Sequence, residues 1–228
     1  PKGAGIRPQE IENGMPSAQE LLTNIRNLCL SGATGSTNDV AKVLNYFNMA
    51  YRKVYRKIAV KYPFVYRTTQ SVVIADGSGT LNPVPFFVTV PRDANNHSRK
   101  LDPTDVEAVL EHDPTLISTG SPCKYWIEGL STIKTHPINS TSLTVPYIPS
   151  PATLTENSTE DEIKVPVVFH DVLTWETLEL MAYDERDKVV GAELAYNKDA
   201  HDQIYEEMWE FFDALAPQEY KPVKRYVA

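Results

Sequence analysis

Apolar residues in the first third of the chain recur at the spacing of an α-helix. They stand three or four residues apart, at Val40, Leu44, Phe47, Tyr51, Val54 and Ile58. Side chains at this spacing lie on one side of a helix, and that side needs other elements to cover it. Pro63 ends the pattern, and a shorter helix from about Ser17 to Leu30 is predicted to precede it.

The last third of the chain predicts two more helices. The first begins near Pro166, and its apolar residues are spread widely enough that we expect it to be covered on more than one side. The second runs from about Val190 to Leu215. The residues expected on its buried face are Leu194, His201, Ile204, Met208, Phe211 and Leu215.

Between these helical parts the pattern changes to short β-rich runs. Twelve of the 17 prolines lie from Pro63 to Pro166, and proline interrupts the hydrogen bonding of helices and central strands. Asp102-Pro103 is predicted to start a short helix that reaches Leu110. Gly129-Leu130 is predicted as a hairpin turn, and the expected strands cover residues 70–75, 86–90, 123–128, 131–136 and 143–147.

This order of elements predicts an α+β fold, in which a bundle of about four helices carries a small β-rich module resembling a barrel or a sandwich. We expect the bundle to comprise residues 16–62 and 166–215, with residues 63–165 inserted between them. Residues 1–15 are rich in glycine and proline and are expected to form a flexible arm. Residues 216–228 are expected to form an extended tail.

The composition narrows the possible functions. The formal net charge of −8 disfavours a protein whose main task is binding nucleic acid, since that affinity comes largely from cationic side chains. No apolar run approaches the length of a membrane span and no signal peptide is recognisable, so we expect no membrane partner. Cys29 and Cys123 lie in no metal-binding or redox motif.

Charge is distributed unevenly along the chain. Residues 40–67 hold seven cations and no acid, whereas residues 171–213 hold 13 acids and three cations. Ordinary solvated helix faces account for many such runs, and cations on one helix can also bind nucleic acid. A third interpretation is a head-to-tail contact between subunits that closes into a ring. The residues expected at this contact are Arg52, Lys53, Arg56, Lys57, Glu206 and Glu210.

A search for catalytic chemistry finds no complete set of groups. The five histidines show no metal-ligand spacing, and the sequence contains neither a nucleophile elbow nor a phosphate-binding loop with its lysine. No nucleophile, base and oxyanion donor are brought together by the sequence, which is the minimum for proposing an enzyme. We therefore expect no catalytic residue, cofactor or metal.

Three segments together carry a resemblance to a known family. They are NYFNMAYRKVYRKIAVKYPFVYRTT (Asn45–Thr69), SPCKYWIEGLSTIKTHP (Ser121–Pro137) and LTVPYIPSPATLTENSTEDEIKVPVVFHDVL (Leu143–Leu173). In their order and spacing they resemble the head-to-tail adaptors of tailed bacteriophages, which are portal-proximal connectors that include the tail tubular A-like proteins. The tryptophan that usually follows the first proline in that family is absent, because Phe64 follows Pro63 directly.

The resemblance implies a non-enzymatic structural protein of the virion. Such adaptors form a homo-oligomeric ring, usually dodecameric, beneath the portal protein ring of the capsid, and they dock tail or nozzle proteins below. They extend the channel through which double-stranded DNA passes without sequence-specific binding, and they take part in genome packaging and ejection. Assembly in the cytoplasm of the host bacterium is expected.

The resemblance also implies a role for the C-terminal tail, because in several relatives this segment reaches the portal. Its aromatic and cationic side chains suit docking on a partner, and the expected portal-binding residues are Tyr220, Lys221, Lys224, Arg225 and Tyr226. We hypothesise that the acids of residues 171–213 line the channel, where they would repel DNA and let it slide.

Three alternatives stay open at this point. The first is a tail completion or nozzle subunit of the virion with a similar arrangement of helices and strands. The second is a small wall-degrading hydrolase, which would need carboxylates such as Glu128, Asp161 or Glu162 to converge in a cleft. The third is a carbohydrate-binding module, suggested only by Tyr125 and Trp126.

Overall fold

The computed structural model describes residues 17–30, 40–96, 99–185 and 188–217. The expected N-terminal arm and all but two residues of the expected tail fall outside these ranges. The described residues form two compact units. One comprises the residues up to Tyr55 together with Ala152–Leu215, and we call it the helical unit. The other comprises Arg56–Pro151 with Ala216 and Pro217, and we call it the β unit.

The fold class predicted from the sequence, α+β, is confirmed. The described α-helices are α1 (Ala18–Leu30), α2 (Val40–Lys61), α3 (Pro63–Tyr66), α4 (Val106–Leu110), α5 (His170–Glu185) and α6 (Lys188–Leu215). The described strands are β1 (Thr68–Ile74), β2 (Ser78–Thr80), β3 (Pro85–Val88), β4 (Arg92–Asp93), β5 (Asp102–Pro103), β6 (Lys124–Glu128), β7 (Thr132–His136) and β8 (Thr141–Pro149).

Helix α2 buries the side that its sequence pattern predicts. Phe47, Tyr51, Val54 and Ile58 are fully buried, and Tyr55 beside them is nearly so. Long apolar side chains in register along one face supply most of the stability of such a helix. The helix continues through the boundary between the two units, which falls after Tyr55.

Helix α1 begins with a reciprocal cap that satisfies two backbone N–H groups. The backbone N–H of Ser17 donates to the carboxylate of Glu20 at 3.0 Å, and the backbone N–H of Glu20 donates to the Ser17 hydroxyl at 3.4 Å. Leu21, Leu22 and Ile25 are buried, and α1 packs against α5 and α6.

Helix α5 is covered on several sides, as its sequence predicts. It follows a single 3₁₀ turn at Val167–Phe169, so the regular α-helix starts at His170 rather than at Pro166. Eight of its residues are buried among the described side chains, and they include polar side chains at Thr174, Glu176 and Thr177. Buried polar groups need hydrogen-bond partners within the protein. The Thr177 hydroxyl has such a partner, because it donates to the Leu173 carbonyl.

The buried face predicted for α6 is partly wrong. Tyr205, Met208 and Phe212 are its buried residues in the described side chains, whereas Phe211 is 39% and Leu215 is 57% exposed. Met208 belongs to both the predicted and the observed face, and the buried face is turned by roughly 45° from the predicted stripe. Phe211 still contacts the rings of Phe169 and Phe212 at its edge.

The β unit contains two small sheets, and neither closes into a barrel. In the first, β8 is central: β1 pairs with one edge of it, while β3 and β4 also pair with it. In the second, the order is β2-β7-β6-β5, with β6 and β7 joined by the predicted turn at Gly129-Leu130. The shared core consists of Val72, Ile74, Leu81, Leu101, Tyr125, Ile133, Leu143, Val145 and Tyr147.

Strand β2 lies so close to side chains of β1 that its middle position requires glycine. A Cβ at Gly79 would stand 2.6 Å from side-chain atoms of Val72 and Ile74 and 2.9 Å from the Val73 carbonyl oxygen. Gly129, in the turn between β6 and β7, has positive φ but open space around it. The two glycines thus serve different needs, one steric and one conformational.

The predicted helix start at Asp102-Pro103 is wrong. These two residues form β5, which pairs in parallel with β6. Helix α4 begins at Val106, and Asp105 caps it by accepting a hydrogen bond from the Ala108 N–H at 2.7 Å. Both aspartates suit a helix N-terminus, and pairing of the first with a distant strand decides between them.

Candidate interaction surfaces

The helical unit contains a clasp in which Asn48 binds the backbone of a distant segment. The Asn48 amide donates to the Leu154 carbonyl at 2.9 Å, and its side-chain oxygen accepts from the Leu154 N–H at 2.8 Å. Both residues are buried, so these bonds replace lost contacts with water. The amide also donates to the Leu44 carbonyl within α2, which fixes its orientation.

Two neighbours of Asn48 extend this clasp. Arg52 donates to the hydroxyl of Thr153 at 2.8 Å. The Tyr51 hydroxyl accepts from the backbone N–H of Lys164 at 3.3 Å. Asn48, Tyr51 and Arg52 belong to the asparagine-containing helix on which the resemblance to phage adaptors rests, so in this chain that motif holds residues 153–164 on α2.

A buried carboxylate links three helices of the same unit. Glu176 of α5 is 1% exposed. It accepts a short hydrogen bond from the Tyr205 hydroxyl of α6, and it pairs with the Lys53 ammonium of α2 at 2.5 Å. Lys53 also contacts Glu179 at 3.1 Å. A buried carboxylate without such partners would be strongly unfavourable.

The pKa values of this cluster follow from its surroundings. Burial raises the pKa of Tyr205, and its hydrogen bond to Glu176 raises it further. Burial alone would lower the pKa of Lys53, but Glu176 and Glu179 together outweigh burial and raise it. Lys53 therefore stays charged and is bound within its own chain.

The exposed side of α2 carries a straight stripe of side chains. Its members stand three or four residues apart and are all exposed: Lys42, Asn45, Met49, Arg52, Arg56 and Val60. Met49 is 46% exposed and Val60 is 71% exposed. We call this set the α2 stripe, and it combines cations with two apolar residues. Of the other predicted contact residues on this helix, Lys57 is exposed and Lys53 is partly exposed.

Helix α6 presents acids in a matching line. The exposed members are Asp199, Asp202, Glu206, Glu210 and Asp213, again three or four residues apart. Residues 199–215 contain no lysine or arginine, and Asp202 contacts the ring of His201 at 3.4 Å. We call this set the α6 stripe. The structure thus places the predicted contact residues Glu206 and Glu210 on one exposed face.

The β unit contains a polar network that the sequence did not predict. Asp113 is 8% exposed. It accepts from the Ser118 N–H at 2.8 Å and the Thr115 hydroxyl at 3.0 Å, and it contacts the His136 ring at 3.0 Å. The bond from His136 and those from Ser118 hold the pKa of Asp113 well below its usual value. The network ties the loop at 113–118 to β7.

Residues suggested for the alternative functions occupy structural positions. Tyr125 lies in the core of the β unit, whereas Trp126 on the opposite face of β6 is partly exposed, so the two rings do not form one binding platform. Glu128 pairs with Lys134 at 3.4 Å. Glu162 closes a capping box with Thr159, in the same 3₁₀ turn that contains the exposed Asp161.

The predicted portal-binding residues Tyr220, Lys221, Lys224, Arg225 and Tyr226 lie outside the described residues. Among the helices that the structure describes, none is long and apolar enough to cross a membrane. In the same described ranges, no group of three or more histidine, cysteine or acidic side chains is placed to hold a metal ion.

Comparison with known protein families supports the sequence resemblance. The family model named SU10 adaptor protein matches residues 16–218, which include both units. No curated protein matches the chain. The match covers Asn48 and its neighbours, the hairpin of β6 and β7, and the start of α5, where the resemblance to phage adaptors was recognised. The resemblance is therefore confirmed, and the chain belongs to the SU10 adaptor protein family, a family of phage adaptors with a structural role in the virion.

Proposed function

We propose that this protein is a ring-forming head-to-tail adaptor, which joins the portal of a phage capsid to the tail and extends the DNA channel. Membership of an adaptor family is the observation that carries this proposal. The two oppositely charged stripes support it, because a head-to-tail ring needs two different and complementary faces on each subunit. Twelve copies would match the ring that the family resemblance implies.

Different parts of the chain are proposed to make the contacts of the adaptor with its partners. Helices α2 and α6 supply the contacts between subunits, through Arg52, Arg56, Glu206 and Glu210. The C-terminal tail supplies the contact with the portal. Double-stranded DNA passes through the ring, and nothing in the net charge of −8 favours tight binding to its phosphates.

Electron microscopy of this protein mixed with purified portal rings tests the proposal directly. We expect a second ring of density stacked coaxially on the portal. A complex in which the protein sits away from the portal, on isolated tail or nozzle assemblies, would instead identify a tail completion or nozzle subunit. Absence of any ring on either assembly would refute a connector role.

A truncation after Pro217 tests the role of the tail separately. Because this truncation keeps α6 and the buried Ala216 that follows it, the shortened protein should keep the circular dichroism spectrum and the urea midpoint of the full chain. We expect it to lose co-sedimentation with portal rings. Unchanged co-sedimentation would remove the tail from the portal contact and would leave the adaptor role itself intact.

A further inference from the structure

The α2 stripe has the composition of a protein interface. Arg52 and Arg56 lie one turn apart, with the exposed Met49 before them and the exposed Val60 after them. Arginine and methionine are enriched at protein–protein interfaces. A surface valine that is 71% exposed gains nothing from a phosphate backbone. The complementary surface should therefore offer acids opposite the two arginines and uncharged side chains opposite Met49 and Val60.

The α6 stripe offers that combination. Glu206 and Glu210 are spaced like Arg52 and Arg56, by four residues. Beyond them lies Ala214, which is exposed and follows Glu210 by about one turn of the helix. The stripe from Asp199 to Asp213 spans about 21 Å at the rise of an α-helix, which is long enough to lie against most of the α2 stripe.

We propose that α2 of one copy packs in parallel with α6 of the next copy, so that Arg52 faces Glu206 and Arg56 faces Glu210. The inference rests on the proposed ring and specifies the contact that closes it. In this register the next turn of each helix brings Val60 beside Ala214, whereas Met49 lies against the neutral side chain of Gln203. Opposite charges then face each other in the two central turns, and no apolar residue of the α2 stripe lies directly opposite a carboxylate.

The antiparallel register pairs the same charges less favourably. If Arg52 faced Glu210 and Arg56 faced Glu206, Val60 would lie against Asp202 and Met49 against Asp213. Each apolar side chain would then remove water from a carboxylate without replacing its hydrogen bonds, which is costly. The positions of the apolar residues therefore select the parallel arrangement.

The contacts within the chain decide which cations take part. The Arg52 guanidinium is held by its hydrogen bond to Thr153 and keeps further N–H donors for a neighbouring carboxylate. This bond fixes the side chain before assembly, which reduces the entropy lost on binding. Lys53 instead pairs with Glu176 and Glu179 of its own chain, so the contact between copies excludes it.

Charge reversal with reciprocal rescue tests the contact. We would measure the fraction of purified portal rings that carry a stacked adaptor ring, by electron microscopy at fixed protein concentrations. The double substitutions Arg52→Glu with Arg56→Glu, and Glu206→Arg with Glu210→Arg, should each reduce that fraction about tenfold or more, because like charges then face each other. The chain that carries all four substitutions should recover most of the wild-type yield.

A matched control uses a second acidic pair with the same spacing. Glu107 and Glu111 are exposed one turn apart in the β unit, and Glu107→Arg with Glu111→Arg makes the same change in net charge. This variant should form rings like the wild type. Circular dichroism and urea midpoints of each variant check that it folds, and recovery in the fourfold variant excludes misfolding as the cause of a loss.

Two mixed variants test the register. Arg52→Glu with Glu206→Arg should retain ring formation, whereas Arg52→Glu with Glu210→Arg should remain defective. The opposite result would overturn the parallel arrangement. If wild-type rings form on the portal and the double reversals leave them unchanged, the contact is wrong and the adaptor role stands. If the wild-type protein forms no ring, the proposed function fails and this inference fails with it.

Discussion

Replacing Asn48 by alanine should destabilise the helical unit severely, although the substitution removes only a few atoms. The Asn48 side chain is the partner of both the N–H and the carbonyl of Leu154, at 2.8 and 2.9 Å. Leu154 is 2% exposed, so water cannot take over these bonds without opening the structure. Each of these two buried groups costs about 1–3 kcal/mol when left without a partner, so Asn48→Ala should lower the free energy of unfolding by roughly 2–6 kcal/mol.

The neighbouring Arg52 provides a matched comparison. It binds the same segment through the Thr153 hydroxyl, but that bond is exposed to solvent, and water can replace it when Arg52 is shortened. Arg52→Ala should therefore cost only about 0–1 kcal/mol. The difference between the two variants isolates the effect of burial, because both lose a side chain of α2 that contacts residues 153–154.

The assay must report on the helical unit alone, since two compact units need not unfold together. Trp175 and Trp209 lie in this unit and Trp126 lies in the β unit. Urea unfolding followed by tryptophan fluorescence in a Trp126→Phe background therefore isolates the relevant transition. Free energies of unfolding of Asn48→Ala and Arg52→Ala within about 0.5 kcal/mol of each other would refute the reasoning about buried backbone groups.

Three further predictions concern other parts of the structure. Gly79→Ala should destabilise the β unit by about 1–3 kcal/mol, because the new methyl group collides with β1. The methyl group of Gly129→Ala meets no neighbour, so this variant should cost only roughly 1–2 kcal/mol for its left-handed backbone. Thermal unfolding of both variants measures the two effects. Because the pKa of Asp113 is lowered in the fold, its carboxylate stabilises the fold above the unfolded pKa of 3.8 and loses this effect as pH falls further. Asp113→Asn should therefore flatten the decline of the urea midpoint between about pH 4 and pH 2.5. An unchanged decline would contradict a stabilising role of this carboxylate. Because the pKa of Lys53 is raised in the fold, its contacts stabilise the fold fully below the unfolded pKa of 10.5 and less as pH rises beyond it. Above that pH the free energy of unfolding should fall more steeply with pH for the wild type than for Lys53→Met. Parallel curves of unfolding free energy against pH would contradict the stabilising role of the charged Lys53.

Local patterns in the sequence were sufficient to predict the main helices. The buried side of α2 could be read from Phe47, Tyr51, Val54 and Ile58, because their spacing alone places them on one face. In α6 the same reasoning selected Phe211, whereas the structure buries Phe212. Both aromatics stand at helical spacing from Met208, and only the packing of α6 against α5 decides between them.

The interactions that hold the structure together could not be predicted in the same way. Asn48 and Leu154 are 106 residues apart, and Glu176 and Tyr205 are 29 apart. Nothing in the sequence near either member indicates its partner. The prediction of a helix start at Asp102-Pro103 was wrong for a related reason. These residues pair with β6, from which a helix and a loop separate them in the sequence.

The contact between subunits remains a prediction. Long runs of one charge on α2 and α6 indicated a contact through Arg52, Lys53, Arg56, Lys57, Glu206 and Glu210. The sequence could not separate Lys53 from its neighbours, because the buried Glu176 that binds it lies on a helix more than 120 residues later. It also could not show that Met49 and Val60 are left exposed beside the cations.

The division of the chain into two units has a consequence for its synthesis. The β unit is almost continuous in sequence, whereas the helical unit is assembled from segments that precede and follow it. A ribosome needs roughly 5–20 s to make the intervening residues. During that time the apolar faces of α1 and of α2 up to Tyr55 have none of their partners from α5 and α6. We therefore expect the nascent N-terminal helices to depend on chaperones until the last quarter of the chain emerges, while the β unit can fold as soon as β8 is complete.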